Sequence, residues 1–244
     1  MSELFNSRPY KIVGHRGLMG LFPENTSLGC IAAIKGGADA IEIDVQLSSD
    51  GRVFVVHDTN LLRTGSVDCD VLLSESNKIL NHQVGDIDRF GADFSDCQIE
   101  TLEGLCEKIE PLMAGKQIFI EIKTQSILAF GAPYVLDKIE SESRVLGNRR
   151  VFISFSKTVL RLAQLRGYAI GYIVNTYDEK TQEYAKSIQP DYIIGDILKL
   201  PESGKFDGPW RWFVYDVVDK EVAEKLFERG CSYIESKDFS ALLL

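Results

Sequence analysis

Long apolar runs, basic clusters and paired cysteines are all missing from this 244-residue chain. Without a run near the ~18 apolar residues a membrane crossing needs, no integral membrane segment is expected. The N-terminus, Met1 to Pro9, has no basic patch followed by an apolar stretch, so it does not read as a secretory leader. Lys and Arg number 27 against 36 Asp and Glu, a net charge of −9 with no basic block. A nucleic-acid backbone is therefore excluded as the main partner, because such binding needs clustered cations. The five cysteines, Cys30, Cys69, Cys97, Cys106 and Cys231, are odd in number and lack CxxC spacing. Neither a disulfide framework nor a zinc site follows, and a reducing, cytoplasmic location is the expectation. Histidine is scarce as well, at three residues. Two of those three, His15 and His57, stand in polar clusters beside Arg16 and Asp58.

What the chain does have is a regular alternation of short β-branched runs with amphipathic stretches. The strand-like runs are 10–14, 40–47, 117–123, 151–155, 169–174, 192–195, 212–216 and 232–235. Helical patterns cover 27–35, 101–109, 128–142, 158–166, 179–187 and 220–229. Alternation of this kind argues for parallel strands covered by helices, and eight strands over this length favour a closed (β/α)8 TIM barrel. The barrel is expected to occupy residues 1–244 as a single domain. One further run, 52–57, follows the second strand after only Ser48-Ser49-Asp50-Gly51. Parallel neighbours need a longer crossover, so this run is read as the returning arm of a hairpin. A two-residue turn at Asp50-Gly51 would set His57 opposite Asp44. Residues 59–98 show little regular pattern and are read as a small insertion after the second strand, a lid or substrate wall.

Catalytic groups of a parallel barrel collect at the C-terminal ends of its strands. His15 and Arg16 follow the first strand, Glu42 and Asp44 lie late in the second, and Glu121 and Lys123 lie late in the third. The polar–apolar–polar spacing of Glu42-Ile43-Asp44 and Glu121-Ile122-Lys123 points both polar members of each triplet at the barrel axis. Three converging carboxylates would repel without a cation, and oxygen donors suit magnesium or calcium (Mg2+ or Ca2+). Arg16 can bind phosphate oxygens through two N–H groups, and His15 and His57 can divide acid and base work near neutral pH. Lys123 either adds positive charge or pairs with Glu121. Asn25 or Thr26 is the N-cap candidate for the first helix. The set suits hydrolysis of a small-molecule phosphodiester.

The order His15-Arg16-Gly17, Pro23-Glu24-Asn25-Thr26, Gly37-Ala38-Asp39, Glu42-Ile43-Asp44, Asp50-Gly51, Val56-His57-Asp58, Arg63-Thr64 and Glu121-Ile122-Lys123 resembles the glycerophosphodiester phosphodiesterase family. That resemblance implies a TIM barrel with a small insertion and a role in glycerol and lipid metabolism. It implies His15 and His57 as the general acid/base pair, Glu42, Asp44 and Glu121 as metal ligands, and Arg16 and Lys123 as the phosphate-holding groups. The implied reaction splits a glycerophosphodiester into glycerol 3-phosphate and an alcohol. In it the glycerol 2-hydroxyl attacks phosphorus and water then opens the cyclic phosphate. The last third departs from the family pattern. Tyr215-Asp216-Val217-Val218 replaces its usual Trp-Thr-Val-Asn, with Tyr215 kept as a possible substrate wall, and Glu235-Ser236-Lys237 replaces its Ile-Thr-Asp. Two other readings share the same motifs. A lysophospholipase D-like hydrolase would use Val71-Leu72-Leu73 and Ile79-Leu80 as an apolar entrance. A phosphate-ligand-binding barrel without turnover would be expected to have lost one of the histidines.

Overall fold

The computed structural model describes residues 8–243; residues 1–7, most of the stretch read for a leader, lie outside them. In chain order the elements are β1 (Lys11–Gly14), α1 (Ser27–Lys35), β2 (Ala40–Leu47), β3 (Val53–Val55), α2 (Leu62–Gly65), α3 (Ser76–Ile79), α4 (Ile87–Phe90), α5 (Leu102–Ile109) and β4 (Gln117–Ile122). There follow α6 (Thr124–Phe130), α7 (Ala132–Glu142), β5 (Arg150–Ser154), α8 (Lys157–Leu165), β6 (Ala169–Val174), α9 (Glu179–Ile188), β7 (Tyr192–Asp196), β8 (Arg211–Tyr215), α10 (Lys220–Glu228) and β9 (Cys231–Ser236). Every strand except β3 pairs in parallel, in the order β1-β9-β8-β7-β6-β5-β4-β2, and β1 pairs again with β2. The sheet therefore closes into the expected eight-stranded barrel. No helix of the described residues is long and apolar enough to cross a membrane.

Strand alternation sorts the apolar residues into two layers. Residues such as Ile12, Ile41, Ile43, Ile118, Ile120, Phe152 and Ile234 point outward and pack under the helices. The intervening positions, Val13, Ala40, Phe119, Val151, Ile153, Ile173, Tyr192, Ile194, Phe213 and Tyr233, fill the barrel interior. Phe119 meets Tyr192, Phe213 and Tyr233 edge-on at ring separations of 4.9–5.8 Å, which plugs the interior with aromatic rings. Because the interior is plugged, polar side chains one layer up can only face the open end. The connection from β7 to β8 has no helix. Leu200, Phe206 and Trp210 cover the sheet there instead, with Phe206 stacked on Trp212 at 4.8 Å.

The helical pattern expected over 128–142 is two helices, because Gly131 adopts φ +83° and separates α6 from α7. The hairpin register differs from expectation by one residue. Val45 pairs with Val55 and Leu47 with Val53, and the Val56 N–H donates to the Asp44 carbonyl at 3.0 Å. Val56, not His57, is thus opposite Asp44. The turn is a three-residue loop, with Gly51 N–H donating to the Ser48 carbonyl and Gly51 in the left-handed region at φ +81°.

The insertion builds its own small core from Leu61, Cys69, Val71, Ile79 and Val84, packed with Phe54, Val56 and Ile99. Val71 and Ile79 are fully buried in that core, whereas Leu73 and Leu80 are exposed. Among the described residues, none from 59–98 lines the cleft at the barrel mouth. The insertion is therefore not a wall of that cleft; it packs beside it.

Candidate active site

One cleft opens at the C-terminal ends of the strands, with a volume of about 180 Å³. It gathers His15, Arg16, Glu42, His57, Glu121, Lys123 and Tyr215 from distant parts of the sequence. Ile153, Ile173, Ile194 and Phe213 form its apolar floor. Asp44, buried under the mouth, completes the set expected from the sequence through its contacts with Arg16 and Lys123.

The loop after β1 is held in a strained shape. Arg16 and Asn25 have φ of +49° and +57°, conformations that L side chains adopt only under constraint. Gly17, at φ +83°, packs so tightly on α1 that a Cβ would lie 2.6 Å from the Gly29 carbonyl carbon. The chain constrains this loop with hydrogen bonds across the barrel. His15 N–H donates to the Ser236 carbonyl at 3.1 Å, and Arg16 N–H donates to Glu42 Oε2 at 3.0 Å. Asn25 bridges to Asp44 with its amide, Nδ2 donating to Oδ2 at 3.0 Å and Oδ1 accepting the Asp44 N–H at 2.9 Å. Thr26 is the N-cap of α1, accepting from Gly29 N–H.

Charges are paired in a chain. The Arg16 guanidinium contacts Glu24 at 2.8 Å and Asp44 at 3.1 Å. Lys123 Nζ reaches Asp44 at 3.1 Å and Glu121 at 2.8 Å, so its ion pair with Glu121 is real and Asp44 shares it. Arg63 grips buried Glu24 through both terminal nitrogens at 2.8 Å and Asp58 through Nε at 2.7 Å. Asp58 in turn contacts His57 Nδ1 at 2.6 Å. That ladder explains how His57 reaches the cleft despite the shifted hairpin register. Strand β3 ends at Val55, so alternation no longer sets the direction of residue 57. Asp58 and Arg63 set it instead.

Burial dominates the electrostatics. It raises the Asp44 carboxyl, but Lys123 and Arg16 outweigh that and hold it below the usual carboxylate range. Burial and the Asp44 charge raise Glu121 to about 7 despite Lys123. Glu42 is pushed well up by burial, then by Asp44, Glu235 and Glu121. Burial and the neighbouring Arg16 charge lower His15 to about 4, which keeps it neutral at neutral pH. Glu42, Asp44 and Glu121 each offer an oxygen within 4.8 Å of the others, and Glu42 Oε1 is buried without a hydrogen-bond partner. These donors fit a hard divalent cation.

Two acidic residues at the mouth stand outside the set expected from the sequence. Asp216, at φ +65°, lies 3.6 Å from His15 Nδ1. Glu235, on the eighth barrel strand and 3% exposed, lies 4.0 Å from His15 Nε2. Counting alternate positions on β9 would have found Glu235, since it follows inward-facing Tyr233 by two. Tyr215 does line the cleft, its ring centre 6.4 Å from that of His15.

The family described as "Glycerophosphoryl diester phosphodiesterase family" matches residues 15–231. The chain belongs to that family. A glycerophosphodiester phosphodiesterase of Caldanaerobacter subterraneus is 30% identical to this family member over 245 aligned positions, covering 95% of the chain and 96% of the relative. Higher identity occurs over short stretches. An uncharacterised Bacillus subtilis protein is 56% identical over 57 residues, and a Bacillus altitudinis glycerophosphodiester phosphodiesterase is 54% identical over 54. Those two matches span only 24% and 22% of the relatives' lengths. The fold also resembles an Oleispira antarctica phosphodiesterase solved with the product sn-glycerol-3-phosphate. The TM-score there is 0.81 at 22% identity, over 95% of this chain and 94% of that one. A glycerophosphodiester phosphodiesterase from Agrobacterium tumefaciens superposes with a TM-score of 0.74 at 23% identity, over 96% and 99% of the two chains.

Proposed function

We propose that this family member is a divalent-cation-dependent hydrolase that splits glycerophosphodiesters into glycerol 3-phosphate and an alcohol. The observation that carries this reading is the single cleft bringing His15, Arg16, Glu42, His57, Glu121 and Lys123 together over an apolar floor. Glu42, Asp44 and Glu121 would hold the cation, Mg2+ or Ca2+ by the hardness of their oxygens. When bound, it supplies positive charge against the phosphodiester and its transition state.

Each remaining residue has a role that its contacts support. Arg16, oriented by Glu24 and Asp44, keeps N–H groups for phosphate oxygens, and Lys123 adds a second positive charge beside them. His15, neutral in its buried place, takes the proton of the glycerol 2-hydroxyl as its oxygen attacks phosphorus. His57, held at Nδ1 by Asp58, gives a proton to the departing alcohol oxygen as its bond to phosphorus breaks. Water then adds to the cyclic phosphate, with the two histidines exchanging roles, and glycerol 3-phosphate is released. The ionic, largely polar lining suits a small deacylated substrate. All five cysteines are free and four are buried, which suits the reducing conditions of the cytoplasm.

The test is a panel of glycerophosphodiesters assayed with the purified protein, with and without EDTA. Glycerol 3-phosphate should form, chelation should abolish its formation, and magnesium or calcium should restore it. His57→Ala should lower kcat by ~100-fold or more. Full turnover in chelator, or near-normal kcat in the variant, would overturn the assignment.

A further inference from the structure

Positive charge in this cleft is distributed unevenly. Arg16, Lys123 and Arg63 pair with Glu24, Asp44, Glu121 and Asp58. Glu235 has no Lys or Arg within ion-pair distance among the described residues; its one such neighbour is His15. Glu235 Oε1 and Glu42 Oε1 are both fully buried and neither has a hydrogen-bond partner. Both side chains are more than nine-tenths buried, at 3% and 4% exposure for the two residues, and both line the cleft. A buried carboxyl oxygen without a partner is unfavourable, and two of them facing one cleft more so.

Geometry says what would relieve this. His15, Glu42 and Glu235 each offer a ligand atom, and those atoms lie within 4.8 Å of one another. Donors that sit about 2.0–2.4 Å from one ion cannot be further apart than roughly 4.8 Å. His15 Nε2 lies 4.0 Å from Glu235 Oε2, so the imidazole and that carboxyl face the same space. We infer that His15, Glu42 and Glu235 form a second divalent-cation site, sharing Glu42 with the set Glu42, Asp44 and Glu121. One nitrogen with two carboxylate oxygens suits a first-row transition cation, manganese or zinc, better than magnesium or calcium.

The site has a functional consequence, which rests on the proposed role of His15 as base. An ion at this position takes the lone pair that proton transfer needs. Turnover should therefore rise and then fall as manganese is increased, with the falling limb set by Glu235.

Binding of Mn2+ to the metal-free protein, followed by calorimetry and by the loss of free-ion EPR signal, tests the site directly. The wild type should take up two ions per chain, and Glu235→Gln and Glu121→Gln one each. Glu235→Gln should also fold normally, with a higher melting temperature than wild type in EDTA, since it removes a buried ionisable carboxyl without changing shape. A wild type that binds a single ion retained in full by Glu235→Gln would overturn the inference. Two ions in Glu235→Gln would overturn it equally. A wild-type ion lost in Glu235→Gln but kept in Glu121→Gln would support this site while removing the one proposed for catalysis. The activity profile adds a second readout: Glu235→Gln should lose inhibition at high manganese, and inhibition unchanged in that variant would refute the role of the site.

Discussion

Glu121→Gln should make the metal-free protein more stable at alkaline pH, although it removes half of a salt bridge with Lys123. Burial and the Asp44 charge raise Glu121 from 4.5 to about 7. A carboxyl raised in this way contributes its full stability below its unfolded value, and that contribution is lost as pH rises through about 7. At 1.36 kcal/mol for each tenfold change in proton affinity, that contribution is on the order of 3 kcal/mol. Glutamine resembles the protonated acid, so the variant should match wild type near pH 5 and exceed it near pH 8. For a domain of this size that gap is roughly 6–12 °C in Tm. Wild-type Tm alone would not isolate the effect. His15, lowered from 6.5 to about 4, contributes stability that is present above 6.5 and lost as pH falls through 4. The two contributions oppose each other between about 4.5 and 6.5, and only the difference between wild type and variant removes the His15 part. The assay is thermal unfolding of both proteins in EDTA from pH 5 to 8. A variant no more stable than wild type at pH 8 would refute the argument. Adding magnesium or calcium should reverse the order, because ion binding stabilises the native state and the variant lacks one ligand.

Arg63→Met should cost about 1–2 kcal/mol in denaturant melts, less than a fully buried pair. Arg16 still neutralises Glu24, and the Arg63 side chain is 45% exposed. With Asp58 released, kcat should fall by about tenfold while the substrate panel keeps its order; unchanged kcat would show that His57 needs no such support. Gly17→Ala should lose about 2–4 kcal/mol, because φ +83° penalises a Cβ and the atoms it meets, Gly29 C and Cys30 N, are backbone. Tm should drop by at least ~5 °C, and a drop under 2 °C would contradict the packing argument.

The sequence by itself determined the barrel and most of the site. Period-two polarity in Glu42-Ile43-Asp44 and Glu121-Ile122-Lys123 fixes which side chains face inward. Closure of eight parallel strands then brings residues 77 and more positions apart to one mouth. Those are local rules, and they hold wherever a strand is regular. Tertiary structure decided what happens where strands stop. The hairpin register depends on whether the turn holds two residues or three; a two-residue type I′ turn needs positive φ at both Asp50 and Gly51, and only Gly51 has it. His57 then reached the cleft because Asp58, Arg63 and Glu24 clamp it, a ladder spanning 39 residues that no local pattern encodes. Glu235 shows the other limit. Its inward direction follows from alternation, but its lack of a counter-ion does not. A buried carboxylate is paired or unpaired according to which cations the closed barrel has already committed, and that is a property of the assembled interior alone.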